Sequence, residues 1–358
     1  MVNPVRVLSR LLLIPLFLAL VVPSPLSPQP PAAQNERFLV ISNIHFPAAQ
    51  KQIHDKALLG YHIALVAPHG DVALLERNSD DSSLYFYDFL KCGNLWKEGE
   101  CESFLNRNAA SGYRVIPGAT DAFTQKGTLW SPVFEARFVL EKPPQARTYF
   151  YHLQQASKKP VISQGYSPIL LMFGLPSSVS ILLEHTVETA SARGSSSYVL
   201  IGPEGSKKIV KKLNELGASG HRLAVLDSQE RMGGPSHAIV RQLERSEVWE
   251  YALLSTKDSP EVIQQHLAEQ GAKGFRPVSS VPDGLILERP AQGDAKPYSF
   301  RVVSIDGLQP FSADIEKHLA DGFELRMLVA LRLRLPHFIT FGDVAYESSP
   351  VVILEKHD

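Results

Sequence analysis

The chain has 358 residues, 44% hydrophobic and 20% charged, the composition of a folded globular protein and enough length for two domains or a repeat array. Its 36 basic and 37 acidic residues leave a formal charge of −1. That balance excludes the concentrated basic charge with which proteins hold nucleic acid.

The N-terminus reads as a targeting segment. Arg6 and Arg10 precede an unbroken apolar run from Leu11 to Val22, shorter than the about 20 residues a membrane-crossing helix needs but suited to the apolar stretch of a signal peptide. Residues 1–33 are therefore set apart as signal peptide and proline-rich segment, and the protein is expected to be secreted or periplasmic. An uncleaved leader acting as a membrane anchor is the alternative.

Beyond it the chain divides into a first half, 34–186, and a second half, 198–358. Residues 187–197, with Ser195-Ser196-Ser197, are read as a linker. Each half holds three units. Unit one (36–78) opens with the strand-like Phe38-Leu39-Val40-Ile41, passes Gly60-Tyr61 and closes on Leu75-Glu76-Arg77. His69-Gly70-Asp71 is read as its hairpin turn, since Gly-Asp is turn chemistry. Unit two (84–143) opens at Tyr85-Phe86-Tyr87, passes Gly112-Tyr113 and closes on Leu140-Glu141-Lys142. It carries the only cysteines, Cys92 and Cys101, expected to form a structural disulfide in an oxidising compartment. Its long hairpin, Pro117 to Pro132, presents Phe123, Lys126 and Trp130. Unit three (147–186) passes Gly165-Tyr166 and closes on Leu183-Glu184-His185. Pro160 interrupts its short middle, so its helix is expected to be shortened or irregular.

Unit four (198–245) opens at Tyr198-Val199-Leu200-Ile201. Gly202-Pro203-Glu204-Gly205-Ser206 is read as a turn and helix start, because it lacks the spacing of a phosphate-binding loop. Ile209, Leu213 and Leu216 then fall on one helical face, before Gly220-His221 and Leu243-Glu244-Arg245. Unit five (248–290) runs from Trp249-Glu250-Tyr251 through Gly274-Phe275 to Leu287-Glu288-Arg289. Unit six (297–357) runs from Tyr298-Ser299-Phe300 through Gly322-Phe323 to Leu354-Glu355-Lys356. Its hairpin, Arg332 to Pro350, presents Arg332, Arg334, His337, Phe338, Asp343 and Tyr346.

The glycine–aromatic or glycine–histidine step recurs at intervals of 52, 53, 55, 54 and 48 residues, the mark of a repeat. Glycine suits the residue after a helix, where a left-handed backbone spares every other side chain's Cβ clash. The expected fold is thus α+β: six tandem β-α-β-β units, the third degenerate, with small, mainly antiparallel sheets each covered by a helix. A fifty-residue unit buries little core alone, so the units must pack on one another.

Units four and five carry a family resemblance. Leu213-Asn214-Glu215-Leu216-Gly217-Ala218-Ser219-Gly220-His221, and Trp249-Glu250-Tyr251 through Gly271-Ala272-Lys273-Gly274-Phe275, resemble a small bacterial domain of unknown function, family 4177. The resemblance implies a small α+β domain and no particular reaction.

No residues are assigned to catalysis, a cofactor or a metal: the histidines are scattered, and no His-Glu-x-x-His occurs. His221 is assigned to packing and His185 to a solvent-facing strand position. The reading is a non-enzymatic repeat scaffold or binding protein whose partner is an envelope protein or a small ligand. Phe123, Lys126, Trp130, Arg332, Arg334, His337 and Tyr346 serve as candidate binding loops. An exported hydrolase with a site between repeats and a small-ligand-binding protein are the alternatives.

Overall fold

The computed structural model describes residues 36–67, 71–77, 84–93, 99–128, 131–145, 147–173, 179–186, 197–228, 236–243, 247–292, 296–305, 311–334 and 346–357, with the side chains at 122–135, 173, 228 and 332–349 outside the description. The fold is mixed α+β, with six small antiparallel sheets and five helices among these residues.

The first sheet comes from β1 (Phe38–Ser42), β2 (Tyr61–Val66) and β3 (Val72–Arg77), with α1 (Pro47–Ala57) between β1 and β2. The second comes from β4 (Phe86–Gly93), β5 (Arg114–Val115), β6 (Asp121–Thr128) and β7 (Ser131–Lys142), with α2 (Glu100–Ala110) after β4. A short 3-10 turn, Pro117–Ala119, follows β5. The third has β8 (Tyr149–Gln155), β9 (Tyr166–Phe173) and β10 (Val179–Thr186). The fourth is built from β11 (Tyr198–Glu204), α3 (Ser206–Gly217), β12 (His221–Ser228) and β13 (Ser236–Gln242), and the fifth from β14 (Trp249–Ser255), α4 (Pro260–Gly271), β15 (Arg276–Val281) and β16 (Gly284–Pro290). The sixth has β17 (Tyr298–Ser304), α5 (Phe311–Ala320), β18 (Glu324–Arg334) and β19 (Tyr346–His357). In every sheet the last strand in the chain lies in the middle, flanked by the first and by the strand or strands after the glycine step.

The six step glycines share one backbone geometry. Their φ values are 85, 87, 83, 84, 80 and 87° at Gly60, Gly112, Gly165, Gly220, Gly274 and Gly322, in the left-handed region that any Cβ penalises. Behind each of the five helices the glycine N–H returns to the carbonyl three residues earlier, as from Gly274 to Gly271 at 2.8 Å, and the chain turns into the next strand.

The middle strands are unbroken apolar runs because both of their faces are covered. Leu74 and Leu75, both fully buried, enter different hydrophobic clusters. Leu285 and Leu287 face one cluster, and Ile286 between them faces another. Six clusters result, each assembled from two sheets. They join the first sheet to the second, the second to the third, the third to the fourth, the fourth to the fifth and the fifth to the sixth. The remaining cluster joins Val303, Ile315 and Leu354 of the sixth to Phe38, Val72 and Leu74 of the first. Residues 36–358 are thus one compact unit whose sheets close into a ring. Of the expected linker, 187–197, only Ser197 is described, and the sheets on either side of it share a cluster.

Each helix covers the first strand of the following sheet: α1 on β4, α2 on β8, α3 on β14 and α4 on β17. The exposed edge of that strand is satisfied by side chains of the visiting helix. Asn214 donates to the Tyr251 carbonyl (2.9 Å) and accepts from its N–H (2.8 Å). Asn106 does the same for Tyr151, and Gln264 spans the Phe300 carbonyl and the Val302 N–H. The Phe38 N–H donates to Ser312 Oγ on α5, closing the ring. An unpaired strand edge invites aggregation; here each is capped.

Three expectations are revised. In the third segment no helix is found among the described residues. Ile162 enters the core, and the Leu200 N–H bonds the Lys158 carbonyl, so an extended chain takes the helix's place over β11. In the fourth segment the closing strand ends at Gln242, three residues before the pattern Leu243-Glu244-Arg245 ends. Arg241 pairs with Tyr198 where glutamate occupies the matching position in the other five sheets. The two long hairpins also contain more strand than expected. Residues 121–128 form β6 against β7, and β18 and β19 extend to Arg334 and from Tyr346, since alternating apolar and polar residues suit a paired strand.

Candidate functional site

The strands after the glycine step meet at the ring's centre: β2 touches the 117–119 turn, β6 touches β9, β9 touches β12, β12 touches β15, β15 touches β18, and β18 returns to β2. Between them lies a cavity of about 210 Å³ to which all six segments contribute, among them Val66, Thr120, Leu170, Leu226, Ser279 and Leu328.

A second cavity of about 360 Å³ adjoins it, sharing Leu226, Val278 and Ser279. Its charged lining is Arg222, Arg241, Arg276, Arg326 and Glu288. The backbone explains their convergence. Arg222 and Arg276 stand two residues after Gly220 and Gly274, at the start of neighbouring strands, and Arg326 follows on β18.

Glu288 is buried and anchors the group. Arg222 reaches Glu288 Oε1 at 2.6 Å through Nη2, and Arg276 reaches the same atom at 3.5 Å. The Arg222 guanidinium also lies 4.0 Å from the Trp249 ring centre. Arg326 donates to the Pro277 carbonyl at 2.9 Å and approaches Glu355 at 3.5 Å. Burial raises the Glu355 carboxyl above its usual range, against the pull of Arg326 and Arg276.

The same arrangement, without the surplus arginines, recurs between the second and third sheets. Arg114 forks onto Glu184 with Nε at 3.0 Å and Nη2 at 2.9 Å. Tyr151 accepts the Val115 N–H and donates to Glu184. Tyr87 accepts the Ile63 N–H and donates to Glu141 at 2.5 Å, and Tyr251 accepts the Leu223 N–H. Burial drives the Tyr87, Tyr151 and Tyr251 phenols upward, and the neighbouring carboxylates push the same way. These hydroxyls therefore remain protonated donors. Burial likewise raises Glu141, with Tyr87 opposing.

Chemically, the arginine cavity suits anion recognition. Guanidinium keeps its charge and presents a planar fork to oxyanions. Glu288 already accepts from two arginines, which commits its carboxylate to holding them. Among the described residues no group of three or more His, Cys, Asp or Glu is placed to hold a metal ion.

The residues expected as binding loops are not brought together. Phe123 and Lys126 lie on β6, Arg332 and Arg334 on β18, and Tyr346 at the start of β19, all with side chains outside the description. Trp130, Phe338, Asp343, His337 and His69-Gly70 lie outside the described residues. Cys92 and Cys101 lie at disulfide distance, their Cα atoms 5.4 Å apart, tying β4 to the start of α2 inside a core cluster. His221 is half-buried, 3.2 Å from Ser219 Oγ. His185, expected to face solvent, is part-buried between the Phe150 and Tyr166 rings. The Arg222–Arg276–Arg326 group was missed, although arginine follows the glycine step by two residues at Arg114, Arg222 and Arg276.

No protein-family model, curated protein or solved structure matches the chain.

Proposed function

We propose that this is an exported, non-enzymatic binding protein, made of six diverged β-α-β-β modules (the third without its helix) arranged around an axial ligand site. The observation that carries the proposal is the central cavity with its arginine-lined neighbour. Ligand sites are concave, mostly apolar and oriented by a few polar groups, and the paired cavities have that make-up. The modular origin is supported by the shared glycine geometry, by the common strand order and by helix side chains clamping the next strand at successive interfaces. Export is supported by the N-terminal segment and by the cysteine pair, since disulfides persist in oxidising compartments. Among the described residues no helix is long and apolar enough to cross a membrane.

Binding is favoured over hydrolysis by the identity of the convergent groups. General acid–base catalysis needs a side chain that exchanges a proton near the working pH, and a guanidinium does not. The test is native mass spectrometry of the full chain purified from the exported fraction, with thiol labelling. A mass excess lost on unfolding, with no reactive thiol, is the expected result. Retention in the cytoplasm, labelled cysteines, or turnover of ester, glycoside or phosphoester reporters would overturn the proposal.

A further inference from the structure

We propose that the ligand is an amphipathic anion, its oxyanion head held by the arginines between the fourth and fifth sheets and its apolar body lying along the ring axis. The inference rests on the binding reading above and names the ligand class for that site.

Charge is the first argument. Four guanidiniums line the cavity with Glu288 as the one acidic lining residue, and Glu355 lies beside Arg326. Two carboxylates offset two of four positive charges. The surplus has a structural origin. Opposite the first-strand aromatic, the other five sheets place glutamate, at Glu76, Glu141, Glu184, Glu288 and Glu355, whereas the fourth places Arg241. One sheet has inverted the sign of this position, beside the interface where Arg222 and Arg276 converge.

Shape is the second. The arginine cavity and the axial cavity share Leu226, Val278 and Ser279, so one molecule can occupy both. Beyond the shared residues the axial lining is largely apolar, including Val66, Ile169, Leu170 and Met327. Its about 210 Å³ equals the share of roughly seven liquid waters at ~30 Å³ each, room for a short alkyl chain. Burying such a chain contributes about 0.8 kcal/mol per methylene, while bidentate pairing with guanidinium selects carboxylate or phosphate heads.

The test is titration calorimetry on the full chain at low salt with octanoate, octyl phosphate, octanol and acetate. Octanoate and octyl phosphate are expected to bind, the tighter of the two identifying the head as carboxylate or phosphate. Octanol and acetate should each bind at least about tenfold more weakly, and Arg241→Gln should weaken octanoate by about tenfold or more. If Arg241→Gln does not fold, Ser279→Leu reads the same claim by narrowing the space shared by both cavities. It should weaken octanoate and leave acetate unchanged. Octanol binding as tightly as octanoate, or unchanged octanoate affinity in the folded variants, overturns the inference and leaves the binding reading standing. Absence of binding by all four also overturns it, and a ligand-free native mass spectrum removes the binding reading as well.

Discussion

Replacing Gly271 by alanine tests whether the ring is held by helices seated directly on neighbouring strands. Gly271 ends α4, and a Cβ built on it would stand 2.3 Å from the Tyr298 carbonyl oxygen and 2.7 Å from Phe300 Cε2. Ordinary contact begins near 3.4 Å, so α4 and β17 must separate by roughly 1 Å. Alanine returns up to ~1 kcal/mol of helix propensity. Against that, overpacking costs about 1–3 kcal/mol or more, and the rigid partner here is backbone. The separation also stretches the two bonds from Gln264 to β17, at 2.8 and 2.7 Å, each contributing about 1 kcal/mol. Ile263 and Leu267, fully buried beneath α4, lose dispersion contact as well. The expected net loss is about 3–4 kcal/mol, read as a lower urea midpoint by circular dichroism. Gly118→Ala is the control, since its Cβ would meet only Val66 at 3.7 Å, and it should stay within about 0.5 kcal/mol of the parent. A Gly271→Ala protein as stable as the control would refute the close seating of α4 on β17.

Two further outcomes follow from the interfaces. Asn214→Ala leaves the Tyr251 N–H and carbonyl without partners at a covered edge and should cost about 2–3 kcal/mol in the same assay, against about 1 for a solvated bond. Glu141→Gln keeps an acceptor for Tyr87 while removing a carboxyl that burial raises above its usual range. A group raised in the folded state contributes stability that is present below its unfolded pKa and lost as pH rises through the folded one. The variant should therefore match the parent near pH ~3.5, below the ordinary carboxylate value, and exceed it at neutral pH, by about 1.4 kcal/mol per unit of elevation. Thermal melts across that range, showing a constant or reversed difference, would refute the burial of this carboxylate.

Much of the local architecture was legible because it is set by residues close in sequence. The step glycines announced a left-handed turn that no other residue adopts cheaply, and Ile209, Leu213 and Leu216 marked a buried helical face. Long-range choices were not legible. The run Val72-Ala73-Leu74-Leu75 in the first segment signals burial on both sides yet says nothing of which sheets supply the cover. Leu-Glu in the fourth segment matched the closing-strand pattern at Leu243, but strand pairing is decided by register, and the paired residue is Arg241. The glutamates read as hairpin closers turned out to be buried interface groups at Glu184 and Glu288, because a charged residue ending an apolar run looks the same whether it meets solvent or an arginine. The arginine cavity draws on residues from Arg222 to Arg326, a separation over which spacing carries no signal.

The contact between α5 and β1 sets the number of segments. Open arrays need special end units with a polar outer face, and they tolerate gain or loss of a single copy. Here Phe38, the first core residue of the described chain, is covered by the last helix, so neither end has been adapted to water. Inserting or deleting one segment would leave a hydrophobic face on each side of the gap, and chain length is thereby locked to a geometric count. The same contact, spanning 274 positions between Phe38 and Ser312, makes completion of the native state a late, non-local event, which favours slow folding.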